Sequence, residues 1–227
     1  MRDSIEAGPP FFSVLGSRRS VRGFLPEEVP ARTLEAIFVA AQQAPSWCNI
    51  QPWRVWVTRG EQTRAVVAAL THAVDTEAPA PDFAWPSEYP EPYHRHRREC
   101  GLALYSAMDV ARDDRAARHE AWMRNFQAFD APHIALVAID RRFNHYAMLD
   151  LGCWLQSLLL SAFAQGVSTC PEASLATFPG AVRGLLGIPD ELGLVMGIAL
   201  GYEDPTVKAN GCRTARAPLD ANVRFVG

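Results

Sequence analysis

The sequence predicts one globular domain that mixes helices and strands, and three observations carry that reading. Apolar residues recur at helical spacing over 30–44 and 146–165, apolar runs of strand length occupy 53–58, 134–139 and 194–200, and no repeat or Gly/Ser-rich linker interrupts the 227 residues. Hydrophobic residues at 48% and charged residues at 21% are ordinary globular usage, which argues against disorder, collagen and a coiled coil. A net charge of −3 excludes a generally basic nucleic-acid-binding protein, so any anion site must be a local cluster of cations.

Each element follows in order. A short helix is expected from Phe11 to Gly16. Pro30 to Ala44 places Leu34, Ile37, Phe38 and Ala41 at i, i+3, i+4 and i+7 behind a proline suited to the first helical position, which predicts an amphipathic helix lying on a core. Trp53 to Thr58 reads as a strand, and about Glu61 to Val74 as the helix after it. Between Glu77 and Tyr93, Pro79, Pro81, Pro86, Pro90 and Pro92 forbid regular structure. Phe83, Trp85, Tyr89 and Tyr93 leave that loop two roles: a surface loop packed by its own aromatics, or a wall over a flat ligand. Glu99 to about Arg118 is expected to be helical, with a second helical stretch near Trp122 to Phe126. Ile134–Ile139 and Leu194–Leu200 are continuous apolar runs, as expected of strands covered on both faces. Tyr146 to Gln165 is apolar nearly all round, with Leu151, Leu155, Leu158 and Ala162 on one side and Leu149, Trp154 and Phe163 on others, which predicts a central helix with room for a subunit interface. After Glu203 the chain has no core pattern and must lie on something to be ordered.

No stretch has the roughly 18 to 20 uninterrupted apolar residues of a membrane span, since Asp150, Gln156 and Gln165 break up the Leu155–Ala164 region. The opening MRDSIEAGPP lacks the basic and apolar regions of a secretory signal, so a cytoplasmic protein with no membrane partner is expected. Five cysteines, an odd number with no CxxC pair, suggest neither a disulfide framework nor a metal site, and read as reduced, mostly packed thiols. His94 and His96 read as a solvated helix entrance, and His133 as structural.

Two segments carry chemistry. Ser17-Arg18-Arg19-Ser20-Val21-Arg22 sets three arginines and two hydroxyls within six residues, a donor set with the geometry for phosphate; by itself it reads more readily as a solvated basic turn. Lys208 is the only lysine beside 21 arginines, so charged phosphate contacts fall to the planar guanidinium fork. The second segment, Ala44-Pro45-Ser46-Trp47-Cys48-Asn49-Ile50-Gln51-Pro52-Trp53, is stiffened by prolines and offers hydrogen bonds from Ser46, Asn49 and Gln51 beside an indole face, which suits a flat heteroaromatic ligand. No GxGxxG, P-loop, nucleophile elbow or HExxH motif is present.

RRSVRGF followed by APSWCNIQPWRVWV resembles the FMN-dependent nitroreductase family. The resemblance continues through RNFQAFDAP, GVSTCPEASLATFP, LGIPDELGLVMGIALGYEDP and the terminal NGCRTARAPLDANVRF, in order and over nearly the whole chain. It implies an α+β, nitroreductase-like fold with a mainly antiparallel central sheet flanked by helices, in an intertwined homodimer with FMN at the interface. Residues 1–227 then form one FMN-binding domain, with 77–98 as a substrate-side loop and 204–227 as an extension onto the partner subunit.

Carried over position by position, Arg18, Arg19 and Ser20 match residues that bind the FMN phosphate and ribityl chain, and Arg213 and Arg216 match tail cations that complete the phosphate site. Arg22 matches the basic residue near N1 and O2 of the isoalloxazine, where a fixed cation favours the reduced, negatively charged flavin. Pro45, Ser46, Trp47, Asn49 and Gln51 fall in the segment that a partner subunit lays against the flavin, and Pro171, Glu172 and Ala173 in the stretch beside N5 and O4. Glu172 is assigned no acid/base role. Trp47 stands where the family often has a small residue, and with Trp85 and Tyr89 it is a candidate wall for the substrate.

The activity implied is an NAD(P)H-dependent oxidoreductase that passes hydride to small, flat, electron-poor acceptors such as nitroaromatics or quinones by a ping-pong cycle, with no catalytic side chain because the chemistry is at FMN N5. Two alternatives stay open: a flavin enzyme of the same fold acting on an activated alkene or a biosynthetic intermediate, and a low-turnover flavin store or sensor.

Overall fold

The computed structural model describes residues 10–227. Helices α1 (Phe11–Ser17) and α2 (Ala31–Ala41) precede strand β1 (Arg54–Val57). Helices α3 (Gly60–Thr76), α4 (Tyr93–Ala107) and α5 (Arg115–Met123) follow before β2 (His133–Asp140). Then come α6 (His145–Ala164), β3 (Ser168–Glu172), α7 (Pro179–Leu186), β4 (Leu192–Gly201) and the short α8 (Leu219–Asn222). The four strands form one antiparallel sheet in the order β1-β2-β4-β3.

The two continuous apolar runs are the two central strands, covered on both faces as their composition requires. Along β2, Ile134, Leu136 and Ala138 enter a core with Val66 and Leu70 of α3 and Val182 of α7, while Ala135, Val137 and Ile139 enter a second core with Ile37 of α2 and Leu151, Trp154 and Leu158 of α6. The alternation is the two-residue period of a strand. It slips once. The register moves from Val137↔Met196 to Ala138↔Leu194, so Val195 is an extra residue, and Val195 and Met196 both pack on the α6 side.

Helix α6 is long and apolar enough to cross a membrane by length and composition, although its uninterrupted apolar run is shorter than a span. In this fold it is the core helix of the second layer, packed along α2. His133 is fully buried, its Nε2 accepting the Val29 N–H at 3.0 Å and its Nδ1–H donating to the Thr58 carbonyl at 3.1 Å. Burial lowers its pKa, and it is the structural histidine that the sequence suggests.

Several expectations are corrected. Pro30 precedes α2 as its cap residue, and α2 ends at Ala41, three residues early. The helix expected from Glu99 to Arg118 is two helices, broken around Asp109, whose φ is 57°, and restarted by the Asp114 carboxylate accepting the Ala117 N–H at 2.9 Å. Helix α4 begins at Tyr93, so the last residues of the 77–98 segment are helical. The stretch near Trp122–Phe126 is the end of α5 followed by turns. The sequence pattern predicts neither strand β3 nor helix α7. Pro171 is tolerated in β3 because that strand is an edge. Of the cysteines only Cys170 is buried, while Cys48 and Cys100 are exposed.

Candidate functional site

The arginine segment runs along the free edge of β3. Ser20 bridges Thr169, and the Val21 N–H donates to the Thr169 carbonyl at 3.0 Å, so Arg22 lies beside the strand that holds Cys170, Pro171 and Glu172. Arg18 caps α1 with a half-buried guanidinium whose Nε has no hydrogen-bond partner among the described residues. Its pKa is lowered by burial and then by the charge of Arg216. Two like charges have thus been brought together, and neither is paired with a carboxylate among the described residues. A group with negative charge between them removes that repulsion, so this pair fits a phosphate. Arg213 donates to the Asn210 and Cys212 carbonyls and lies exposed nearby in sequence. Arg19 differs from its neighbours in being ion-paired with Glu203.

The tail is less free than its composition suggests. Asn210 is buried; it donates to the Gly23 carbonyl at 2.9 Å and accepts the Arg22 N–H at 2.6 Å, so residues up to about 212 fold onto the chain's own arginine segment. Beyond them Leu219, Phe225 and Val226 are exposed.

The 45–51 segment sits at the other edge of the sheet, ahead of β1. Cys48, Asn49 and Gln51 have φ of 46°, 58° and 47°, a left-handed turn that costs energy in residues other than glycine. Besides its backbone bonds, it is held by Gln51 N–H to Ser46 Oγ at 3.0 Å, Gln51 Nε2 to the Asn49 carbonyl at 3.1 Å, and Trp47 N–H to Asp150 Oδ1 at 3.0 Å. Trp47 is 61% exposed and packs on Tyr146 with ring centroids 5.1 Å apart. Trp47 is thus anchored in the first turns of α6, whereas β3 starts just past its other end; at 1.5 Å per residue the two ends of this 20-residue helix are roughly 30 Å apart. Within one chain the structure does not bring 45–51 to the arginines.

Glu172 ends β3 at 5% exposure, and among the described residues neither carboxyl oxygen has a hydrogen-bond partner. Burial pushes its pKa well above the usual carboxylate range, against the opposing pull of Arg22 and the Ser174 hydroxyl. Cys170 is pushed up to about 12 by burial and then by Glu172. Ala173, just beyond, is exposed. Beside Arg22, which helps line it, lies a cavity of about 240 Å³ walled by Leu104 of α4, Met108 just past that helix, Phe129 and Val207, with Arg124 and Lys208 at its polar side.

The proline-rich loop is pinned at its base. Asp82 accepts from Arg183 at 2.8 Å, Arg141 at 2.6 Å and the Leu194 N–H at 2.8 Å, and Phe83 packs on Gly193. Trp85 and Tyr89 are 45% and 39% exposed, and Arg97 sits over the Tyr89 ring at 5.1 Å.

The model of the Nitroreductase family matches residues 15–202, which include the arginine segment, the 45–51 turn and all four strands. The chain belongs to the nitroreductase family. A 4-nitrobenzoate reductase of Nocardioides sp. (strain LMS-CY) is 36% identical to it, the match covering 95% of this chain and 90% of that one. A 4-nitrobenzoate reductase of Pseudomonas putida is 33% identical, covering 96% of both. Among solved structures, the FMN-dependent nitroreductase NfnB of Mycobacterium smegmatis in complex with NADPH superposes with a TM-score of 0.92 at 33% identity, covering 95% of this chain and 97% of that one. The nitroreductase-like α+β fold is thereby established.

Sequence reasoning misses four residues in this nitroreductase-family chain: Glu203, Asn210, Asp150 and Asp82. Glu203 and Asn210 stand in segments without pattern, which give no sign of burial. Asp150 does leave a signal, as the one acid in an apolar helix.

Proposed function

We propose that the protein is an FMN-dependent oxidoreductase that takes reducing equivalents from NADPH or NADH and delivers them to nitroaromatics or similar flat, electron-poor acceptors. The Arg18–Arg216 juxtaposition carries the reading, because two mutually repelling cations, one half-buried and one exposed, with no acid paired to either among the described residues, suit the phosphate of FMN, and the relatives are nitrobenzoate reductases and an FMN-dependent nitroreductase. Bound there, FMN supplies the hydride chemistry. Arg18, Arg216 and Arg213 hold the phosphate and Ser20 the ribityl chain, with Arg19 bracing the segment through Glu203. Arg22 places a fixed cation where reduced flavin gathers negative charge. The backbone of Pro171, Glu172 and Ala173 lines the opposite edge of the ring.

A second copy of the chain completes the site. Pro45, Ser46, Trp47, Asn49 and Gln51 are too far from the arginines of their own chain, are largely exposed, and present an indole face, which suits a homodimer in which this turn closes over the other copy's flavin. The exposed chain beyond Arg216, including the apolar Phe225, is the extension that crosses between copies. Trp47, Trp85 and Tyr89 form the acceptor wall, and the protein works in the cytoplasm. Anaerobic mixing tests the reading: NADPH or NADH should bleach the FMN-loaded protein, and a nitroaromatic added afterwards should restore the colour without further nucleotide. A flavoprotein that neither nucleotide bleaches contradicts it.

A further inference from the structure

The side chain of Glu172 has no part in the function just described, yet it is the most closely buried acid near the site. Three groups lie close enough to act on its charge: the Arg22 guanidinium from the segment along the edge of β3, the Cys170 thiol from its own strand, and the Ser174 hydroxyl from the following turn. Gly197 pairs with it across the sheet, and Leu175 packs on that glycine. Arg22 is the one cation in the set. Its backbone is fixed by Asn210, and among the described residues its side chain makes only a long 3.5 Å contact with the Ser20 carbonyl. Arg22 thus acts on the enclosed carboxyl of Glu172 and also lines the 240 Å³ cavity.

We propose that Glu172 sets the charge which Arg22 presents to the site: as a neutral acid it leaves Arg22 a full cation, and as a carboxylate it cancels much of that charge. This rests on the flavin reading above. A charge within a few ångströms of a group in a water-poor site is weakly screened, so the ionisation of Glu172 reaches whatever occupies the cavity side of Arg22. When Glu172 is neutral, negative charge on reduced flavin is stabilised and the two-electron potential is raised. When Glu172 loses its proton to solvent, that stabilisation falls. The enclosed, unpaired oxygens and the raised pKa both favour the neutral form in the resting protein. Glu172 acts through Arg22 and is a positioning residue, not a catalytic one.

The test is the midpoint potential of bound FMN as a function of pH in the wild type, Glu172→Gln and Glu172→Ala. The wild-type potential should fall more steeply than either variant's over the range in which Glu172 ionises, and Glu172→Gln should stay on the wild type's low-pH branch throughout. Parallel curves for all three overturn the proposal. A second readout needs no flavin: infrared difference spectra of the FMN-free protein at neutral pH should contain the carbonyl stretch of a protonated carboxyl that Glu172→Gln lacks. An ionised Glu172 at neutral pH overturns the proposal even where FMN binds normally. A protein that binds no FMN, with Glu172 still protonated, overturns the functional reading and the flavin part of the proposal with it.

Discussion

The backbone N–H of Trp47 donates to the buried carboxylate of Asp150 over 3.0 Å, tying the left-handed 46–51 turn to helix α6. Asp150→Ala should leave that N–H unpaired and cost about 1–3 kcal/mol in thermal or denaturant unfolding. Asp150→Asn keeps an acceptor oxygen and should cost less. Equal losses in the two variants would show that the bond to Trp47 does not hold the turn.

Asp82 fixes the base of the proline-rich loop through Arg183, Arg141 and the Leu194 N–H. Asp82→Ala should destabilise the protein by about 1.5–3 kcal/mol, since the bonds are to charged donors and the carboxylate is largely shielded. Limited proteolysis should then cut between 77 and 92 faster than in the wild type. An unchanged cleavage rate would mean that the loop is held by its apolar contacts, Phe83 on Gly193 foremost.

Much of this fold is legible in the sequence because its core elements obey one period each. The runs at 134–139 and 194–200 are apolar at every position, which only a strand covered on both faces needs, and the alternation of β2 between two cores follows. Strand β3 is illegible for the opposite reason: STCPE has a proline and little apolar character, and it is a strand because β4 offers an edge to pair with. The bulge at Val195 comes from pairing register, which one sequence does not encode locally. For the site, Arg18 and Arg22 are visible as a charge cluster, but Arg19 cannot be separated from them, because its partner Glu203 lies 184 residues away. That 45–51 and the arginines stand at opposite edges of the sheet is a fact of topology alone.

Stability should carry the mark of Glu172. Its folded-state pKa is raised, so between the ordinary carboxylate range and that raised value the unfolded chain has lost the proton while the folded protein keeps it. Stability must fall as pH rises through this window, by at most about 1.4 kcal/mol per pH unit from this group. Urea unfolding across pH should therefore show Glu172→Gln gaining on the wild type as pH rises above the carboxylate range. A constant difference between the two would mean that Glu172 is ionised in the fold.

Trp85 and Tyr89 should affect the acceptor and not the cofactor. Replacing either with Ala removes stacking of about 0.5–1.5 kcal/mol, which predicts a severalfold to about tenfold fall in acceptor kcat/KM at unchanged FMN occupancy. Loss of FMN with normal kinetics per bound flavin would make the loop a support of the cofactor site.

The juxtaposition of Arg18 with Arg216 is the centre of the proposed function, and calorimetric titration of the FMN-free protein with FMN and with riboflavin tests it most directly. Each lost charge-assisted contact to phosphate is worth about 1.5–3 kcal/mol, so Arg18→Ala or Arg216→Ala should weaken FMN binding roughly ten- to a hundredfold. Riboflavin, which lacks the phosphate, should bind the variants and the wild type nearly alike. Equal losses for the two ligands, or an FMN affinity that neither substitution changes, would contradict the reading of these arginines as the phosphate site.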